Sequence, residues 1–368
     1  MIPVFKPKLT IKDINAVNKT LKKNEISGSF GKSISEFEIN FSKYIGSRYS
    51  VTTSSGTTAL HLAIDILNLP KKSEIILSSC TNIATALCIV HNNHIPIPVD
   101  SNINTWNIDV DKIEKLITKK TKAIIIVHFL GKPVEIEKIL YLKKKYKLKI
   151  IEDAAEAHGA IYKNKKIGNF GDLSCFSFYA NKIITSGEGG MICTNNKTYF
   201  KRIKLYKNLG FTKPRFVHFI NGYNFRMTAI QAAIGNSQLL NIEKIINSKI
   251  RIAKRYIKNL SQIREINLPQ INNYERNVFW QFGICMNDNS QYTKIELMNY
   301  LKKKKIDTRS FFFSIRNQPC LKNIIPKNVP KTPMSNKLWR NGLYLPSSHN
   351  IKNSEIDFIC NKIKEFFE

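Results

Sequence analysis

GDLSCFSFYANKIITSGEGGMICT, residues 171–194, is the stretch from which the rest of the chain is read. It opens with a short apolar run, Leu173 to Tyr179, interrupted by the small polar Ser174 and Ser177. A single lysine, Lys182, follows, and then a glycine-rich turn, Gly187-Glu188-Gly189-Gly190. Met191-Ile192-Cys193-Thr194 reads as a return strand. A strand-loop-turn-strand unit of this kind holds one amine at the floor of a cleft. An amine withdrawn from water loses its preference for the charged form, its pKa falls, and it becomes a nucleophile for carbonyls. On its own, a lysine beside a glycine-rich turn is equally a solvated surface lysine. Its partners have to come from elsewhere in the chain.

With 368 residues the chain is long enough for a large core and for more than one domain. Its hydrophobic content of 43% and aromatic content of 10% are those of an ordinary globular protein. No apolar stretch approaches the roughly 18 residues of a membrane span. The opening MIPVFKPKLTIKD has no apolar leader core. Seven cysteines are scattered without C-x-x-C spacing, which points to a reducing cytoplasm and away from a disulfide framework or a metal site. The net charge of +31 is almost all lysine spread along the full length, with short runs that no aromatics interleave. It reads as a drift toward Lys, Asn and Ile that leaves a solvated basic surface, not as a nucleic-acid or membrane site. Such a surface gives a mildly favourable field for an anionic substrate.

Patterning predicts an alternation of strands and helices. A helix is expected over Ile11 to Lys23, then a loop Glu25 to Gly31 whose small residues, Ser27 among them, allow a ligand to approach closely. Ser33 is the expected N-cap of a helix Ile34 to Ile45, with Glu36 completing a capping box. Tyr49 to Thr53 reads as a strand, Ser54 to Thr58 as a tight turn, and Ala59 to Leu67 as an apolar helix. The turn is either simple capping or, through its N–H groups, an anion site. Further strands are expected at Glu74 to Ser78, Ile95 to Val99, Ala123 to His128 and Lys149 to Ile151, with helices near Ile83 to Asn92, after Asp109, and over Val134 to Tyr146. The Ala123 to His128 run is too continuously apolar to be one-sided, as in buried parallel strands. Such a sheet binds ligands outside the carboxyl ends of its strands. Asp153 stands at one such end, either as a helix cap or as a working carboxylate. Helices are expected from Tyr199 to Leu209 and from Ala229 onward to Leu260. Beyond them come a strand Val278 to Met286, a helix Lys294 to Lys303, a strand Asp307 to Ser310 and a terminal helix Ser354 to Phe367.

A nucleophilic lysine, a carboxylate and an anion-binding turn with a hydroxyl at Ser177 are together what pyridoxal 5'-phosphate requires. Its aldehyde needs an amine, its pyridine nitrogen a carboxylate, and its phosphate N–H and hydroxyl donors. At this point the sequence resembles the sugar aminotransferases of the DegT/DnrJ/EryC1/StrS family over essentially its whole length. The matching stretches are SSGTTALHLA (54–63), IIEDAAEAHGA (150–160), FGDLSCFSFYANKIITSGEGGMICTN (170–195), NGYNFRMTAIQAAIG (221–235) and LYLPSS (343–348). The YANK and GYNFRMT forms look most like members that aminate C4 of nucleotide-linked 4-keto-6-deoxyhexoses, the perosamine-forming type.

The resemblance implies an α/β fold of the fold-type-I, aspartate-aminotransferase-like class. A large, mostly parallel-sheet domain over residues 1–245 would precede a smaller C-terminal α/β domain over 246–368, with residues 1–25 packing on the latter. It implies a homodimer with shared active sites, a nucleotide-sugar substrate and L-glutamate as amino donor. Amination at C3 or of another keto sugar is one alternative, and a non-enzymatic basic regulator or nucleic-acid binder on the same scaffold is the other. Lys182 would bind the cofactor covalently and move the proton, and Asp153 would pair with the pyridine nitrogen. Ala155 would lie against one ring face and Glu156 near the ring hydroxyl. Gly56, Thr57 and Ser177 would hold the phosphate, with Asn224 supplied by the partner subunit. Arg226 and Arg309 match family arginines, either for a donor carboxylate or in structural ion pairs. The chain departs from the family in three places. Asn82 stands where a ring-stacking aromatic is usual. In Arg309-Ser310-Phe311-Phe312-Phe313-Ser314-Ile315-Arg316, serine replaces each of two prolines and Arg316 replaces a histidine. Arg316 either meets nucleotide phosphates or is simply exposed. The loop Glu25 to Gly31 also differs.

Overall fold

The computed structural model describes residues 1–29 and 31–368. Phe30, in the loop expected to approach a ligand, lies outside the described residues. In chain order the strands are β1 (Tyr49–Thr53), β2 (Glu74–Ser78), β3 (Ile95–Val99), β4 (Thr121–Val127), β5 (Lys149–Asp153), β6 (Ile161–Tyr162) and β7 (Lys165–Lys166). Then come β8 (Leu173–Ser177), β9 (Gly190–Thr194), β10 (Ile266–Asn267), β11 (Glu275–Arg276), β12 (Phe282–Met286), β13 (Arg309–Ser310) and β14 (Gly342–Leu345).

Seven strands form the main sheet in the order β1-β9-β8-β5-β4-β2-β3. From β8 to β3 every neighbour is parallel, and β9 alone runs against both β8 and β1. Helices cover both faces, so the central strands are apolar throughout. Ala123, Ile124, Ile125 and Ile126 of β4 are all fully buried, as the continuous run predicts. The helix Ser33–Ile45 lays Phe37 and Phe41 on the end of β8, with the Phe41 and Phe178 rings edge to face at 5.4 Å.

A second, four-stranded antiparallel sheet, β10-β12-β14-β13, packs under the helices Ile242–Leu260, Lys294–Lys303 and Asn353–Phe367. The Ile242–Leu260 helix serves both cores. Ile242, Ile245 and Ile246 belong to the first, and Ile252, Ala253, Tyr256 and Leu260 to the second. At the N-terminus, Ile2 exchanges hydrogen bonds with Lys305 and Asp307 beside the second sheet. The helix Ile11–Lys22 instead lies on Ala229–Leu239, where Gln238 donates to Asp13 at 2.8 Å.

Polar contacts tie the two sheets together. Asp100, just past β3, accepts from the N–H of Ser335 at 2.8 Å and of Met334 at 3.2 Å, capping the helix Pro333–Asn341 from outside. Ser79, Ser314 and Thr332 close a ring of buried hydroxyls at 2.9 to 3.1 Å. Ser314, one of the two serines at the positions expected to hold proline, contributes one member.

Three local expectations are corrected. Ser33 is the first residue of its helix, not the cap; Lys32 precedes it without a side-chain cap, and the Ser33 hydroxyl faces Thr20 at 3.4 Å. Asp109 starts two 3-10 turns, Val110–Lys112 and Glu114–Leu116, in place of an α-helix. Residues 278–281 do not join β12, because Val278 and Trp280 donate to the carbonyls of Gly131 and Leu130 and Phe279 has φ +48°.

Candidate active site

The carboxyl ends of the parallel strands surround a cavity of about 310 Å³. The connection from β8 to β9 forms one wall. Phe178 donates to the Gly189 carbonyl at 2.8 Å, and Ser186 returns a bond to the Phe178 carbonyl at 3.0 Å. The glycines here answer a spatial demand: a Cβ on Gly190 would lie 2.2 Å from the Ser55 carbonyl oxygen, and Gly189 has φ +150°. Within this closed loop Lys182 faces the cavity, its N–H bonded to the Tyr179 carbonyl at 2.9 Å.

Opposite stands Asp153 at the end of β5, 5% exposed. One carboxylate oxygen accepts from the Thr85 hydroxyl at 2.8 Å and the other from the Ala155 N–H at 3.3 Å. Burial raises its pKa, while Thr85, the Ala155 N–H and Lys182 oppose the rise. Glu156 accepts from the Leu130 N–H at 2.8 Å, and burial pushes its pKa up to about 7. Burial likewise lowers the Lys182 pKa, against the pull of Glu156 and Asp153. Burial biases all three groups toward their neutral forms, and for Lys182 that suits an amine that must act as a nucleophile.

The third wall is the start of the helix Gly56–Ile66. Ser55 and Thr58 close a reciprocal capping box, with Thr58 N–H to Ser55 hydroxyl at 3.1 Å and Ser55 N–H to Thr58 hydroxyl at 2.9 Å. Among the described residues the N–H groups of Gly56 and Thr57 meet no acceptor, and they stand as first-turn donors at the cavity. A Cβ on Gly56 would fall 2.6 Å from that of Ser177, so only glycine lets the helix start sit this close to β8. Free helix-terminal donors, a buried carboxylate and a desolvated lysine around one cavity fit the demands of pyridoxal phosphate.

Seven of the sequence-derived residues therefore meet here: Gly56, Thr57, Asp153, Ala155, Glu156, Ser177 and Lys182. Ser27, Asn224, Arg226, Arg309 and Arg316 do not line the cavity of a single chain. Arg226 donates to the Asn208 side chain at 3.0 Å, and Arg309 is exposed on β13. Neither makes an ion pair among the described residues of the single chain. Arg316 is half-buried and donates to the Val329 carbonyl at 3.1 Å, so it is not simply exposed. Asn82 lines the cavity as the N-cap of the helix Ile83–His91, accepting from the Ala84 N–H at 2.9 Å. Two contributors were missed in the sequence. Thr85 meets Asp153 across 68 positions with no local signal. Trp280 comes from a segment that reads as strand.

Fold and site together are those of a fold-type-I aminotransferase. The chain belongs to the DegT/DnrJ/EryC1/StrS aminotransferase family, whose model matches residues 7–364. It is 40% identical over 370 residues to a GDP-perosamine synthase of Escherichia coli O157:H7, covering 100% of this chain and 98% of that protein. It is 33% identical to the GDP-perosamine synthase of Vibrio cholerae, covering 100% and 99%. Among solved structures it is similar to PseC of Helicobacter pylori, an aminotransferase involved in pseudoaminic acid biosynthesis. That likeness has TM-score 0.94 and 26% identity, with 100% of this chain and 99% of that one covered.

Proposed function

We propose that this protein transfers an amino group from L-glutamate to C4 of a nucleotide-linked 4-keto-6-deoxyhexose, with pyridoxal phosphate as cofactor. The observation that carries the reading is the meeting of Lys182, Asp153 and the free helix start at Gly56 in one cavity. Full-length identity of 40% to a GDP-perosamine synthase supports the substrate class. When bound, the cofactor supplies an aldehyde for the amine and a protonated ring that draws electrons from the reacting carbon.

The chain's own residues do the rest. The Asp153 carboxylate, held by Thr85, would pair with the pyridine nitrogen and favour its protonated form. The N–H groups of Gly56 and Thr57 with the Ser177 hydroxyl would hold the phosphate, with Ala155 against one ring face and Glu156 near the ring hydroxyl. Lys182 would supply the amine for the aldehyde and, as a free base, carry the proton that moves to and from carbon. In a homodimer Asn224 would serve the phosphate of the partner subunit's site. Phe216 and Phe219, 73% and 71% exposed on the segment before it, favour that arrangement by offering apolar surface to a second copy. The product would be an aminodeoxysugar for a surface glycan, made in the cytoplasm.

The test is an absorption spectrum of purified protein with pyridoxal phosphate, before and after L-glutamate. A visible band that disappears on adding glutamate is expected, followed by C4 amination when GDP-4-keto-6-deoxymannose is supplied. A protein that acquires no band refutes the reading, and one that aminates a 3-keto but not the 4-keto nucleotide sugar refutes its regiochemistry.

A further inference from the structure

We propose that Trp280 is a positioning residue for Lys182, holding the amine on its indole face and away from the two carboxylates. The inference rests on Lys182 being the reactive amine of the proposed function. Lys182 Nζ lies 4.1 Å from the centroid of the Trp280 ring. That is well inside the roughly 6 Å over which a ring face attracts an ammonium. The indole is fixed from two sides. Its N–H donates to the carbonyl of Asn181, the neighbour of Lys182, at 2.6 Å, and the Trp280 backbone N–H donates to Leu130 at 2.9 Å. Only 4% of the residue is exposed.

Leu130 is also the residue whose N–H holds Glu156. One short segment therefore places both the ring that takes the amine and a carboxylate that competes for it. The charged or titratable groups that face Lys182 are Glu156 and Asp153, which attract the ammonium, and His158, whose pKa burial holds down at about 3. A flexible lysine in such company would fold onto a carboxylate and be fixed there by an ion pair. The indole offers a weaker, non-directional seat that releases the amine readily. It also comes from the stretch leading into β12, so the lysine's seat depends on the second sheet being docked against the first.

The test uses cofactor-free protein and needs no turnover. Acetylation of Lys182 by acetic anhydride is followed against pH by peptide mass spectrometry in wild type, Trp280→Phe and Trp280→Leu. Without the ring face the amine is free to fold onto Glu156 or Asp153, which favours the ammonium, so the labelling midpoint of Trp280→Leu should rise by roughly half a unit to one and a half units. Trp280→Phe, which keeps a face, should restore most of the wild-type midpoint. An unchanged or lowered midpoint in Trp280→Leu overturns the proposal. Should the leucine variant not fold, the emission of Trp280, isolated as wild type minus Trp280→Phe, serves instead. It should carry a pH step that Lys182→Met removes, and its absence also overturns the proposal. A missing cofactor band would sink the proposed function without touching this result, so the two failures are distinguishable.

Discussion

Replacing Glu156 by glutamine should change how stability responds to pH, and the size of the change can be worked out. Glu156 is buried, accepts one backbone hydrogen bond from Leu130, and is raised by burial from 4.5 to about 7. The native state thus takes up a proton near neutrality, whereas the unfolded chain does so near 4.5. A raised carboxyl pKa favours the folded state at low pH. The contribution is fully present below the unfolded pKa and is lost as pH rises through about 7. In total it amounts to about 3 kcal/mol, at ~1.4 kcal/mol per unit. Between roughly pH 5.5 and 8, about 2 kcal/mol of it should disappear from the wild type and none from Glu156→Gln. His158 gives the opposite slope, because burial holds its pKa down at about 3. Its stabilisation is present above about 6.5 and lost as pH falls. Wild type and variant must therefore be compared with each other at each pH, since His158 is common to both. Urea unfolding of the cofactor-free proteins at the two pH values provides the comparison. Parallel pH slopes would refute the reasoning and mean that Glu156 stays ionised in the folded protein.

Lys182→Ala should bring transamination below detection while leaving the far-ultraviolet dichroism unchanged, and measurable turnover would remove the lysine from the mechanism. Gly56→Ala forces a Cβ to within 2.6 Å of that of Ser177, so a loss of 1 to 3 kcal/mol, read from the urea midpoint, is expected as for other overpacked sites. Asp153→Asn should lower kcat by at least tenfold with a smaller effect on cofactor affinity, measured by steady-state rates and by titration. Ser55→Ala breaks the capping box at the cavity and should cost about 0.5–2 kcal/mol of stability in the same unfolding assay.

Much of the main sheet is legible in the sequence because its signals are local. The Ala123 to Val127 run is apolar at every position and is buried on both faces. The Ser-Gly turn at 54–56 announces a helix start, and the glycines at 187–190 announce a tight reversal beside Lys182. Where the reading fails, the deciding partner is remote. Val278, Phe279 and Trp280 have strand composition, but Val278 and Trp280 donate to the carbonyls of Gly131 and Leu130, and Phe279 donates to the Asn277 side chain. Asp109 looks like the start of a helix, yet a 3-10 turn satisfies its side chain through the Asp111 N–H at 3.3 Å. Asn82 is misleading for a similar reason. Read against an aromatic it is a loss, whereas in place it caps the Ile83–His91 helix. Thr85 carries no local mark at all, because its role exists only once β5 lies beside that helix.

The reversed direction of β9 has a consequence for how the protein tolerates change. A parallel partner for β8 would require a crossover, carrying the chain over a face of the sheet before its return. With β9 antiparallel, residues 178–189 stay at one rim, and every one of them lies within a loop's reach of the cavity. Insertions at the opposite rim, such as between Tyr146 and Lys149, would lengthen a connection remote from the chemistry. An insertion between Phe178 and Gly189 would shift the lysine itself. Length variation in the family should therefore be unevenly spread, absent from this one hairpin and accepted at the far rim.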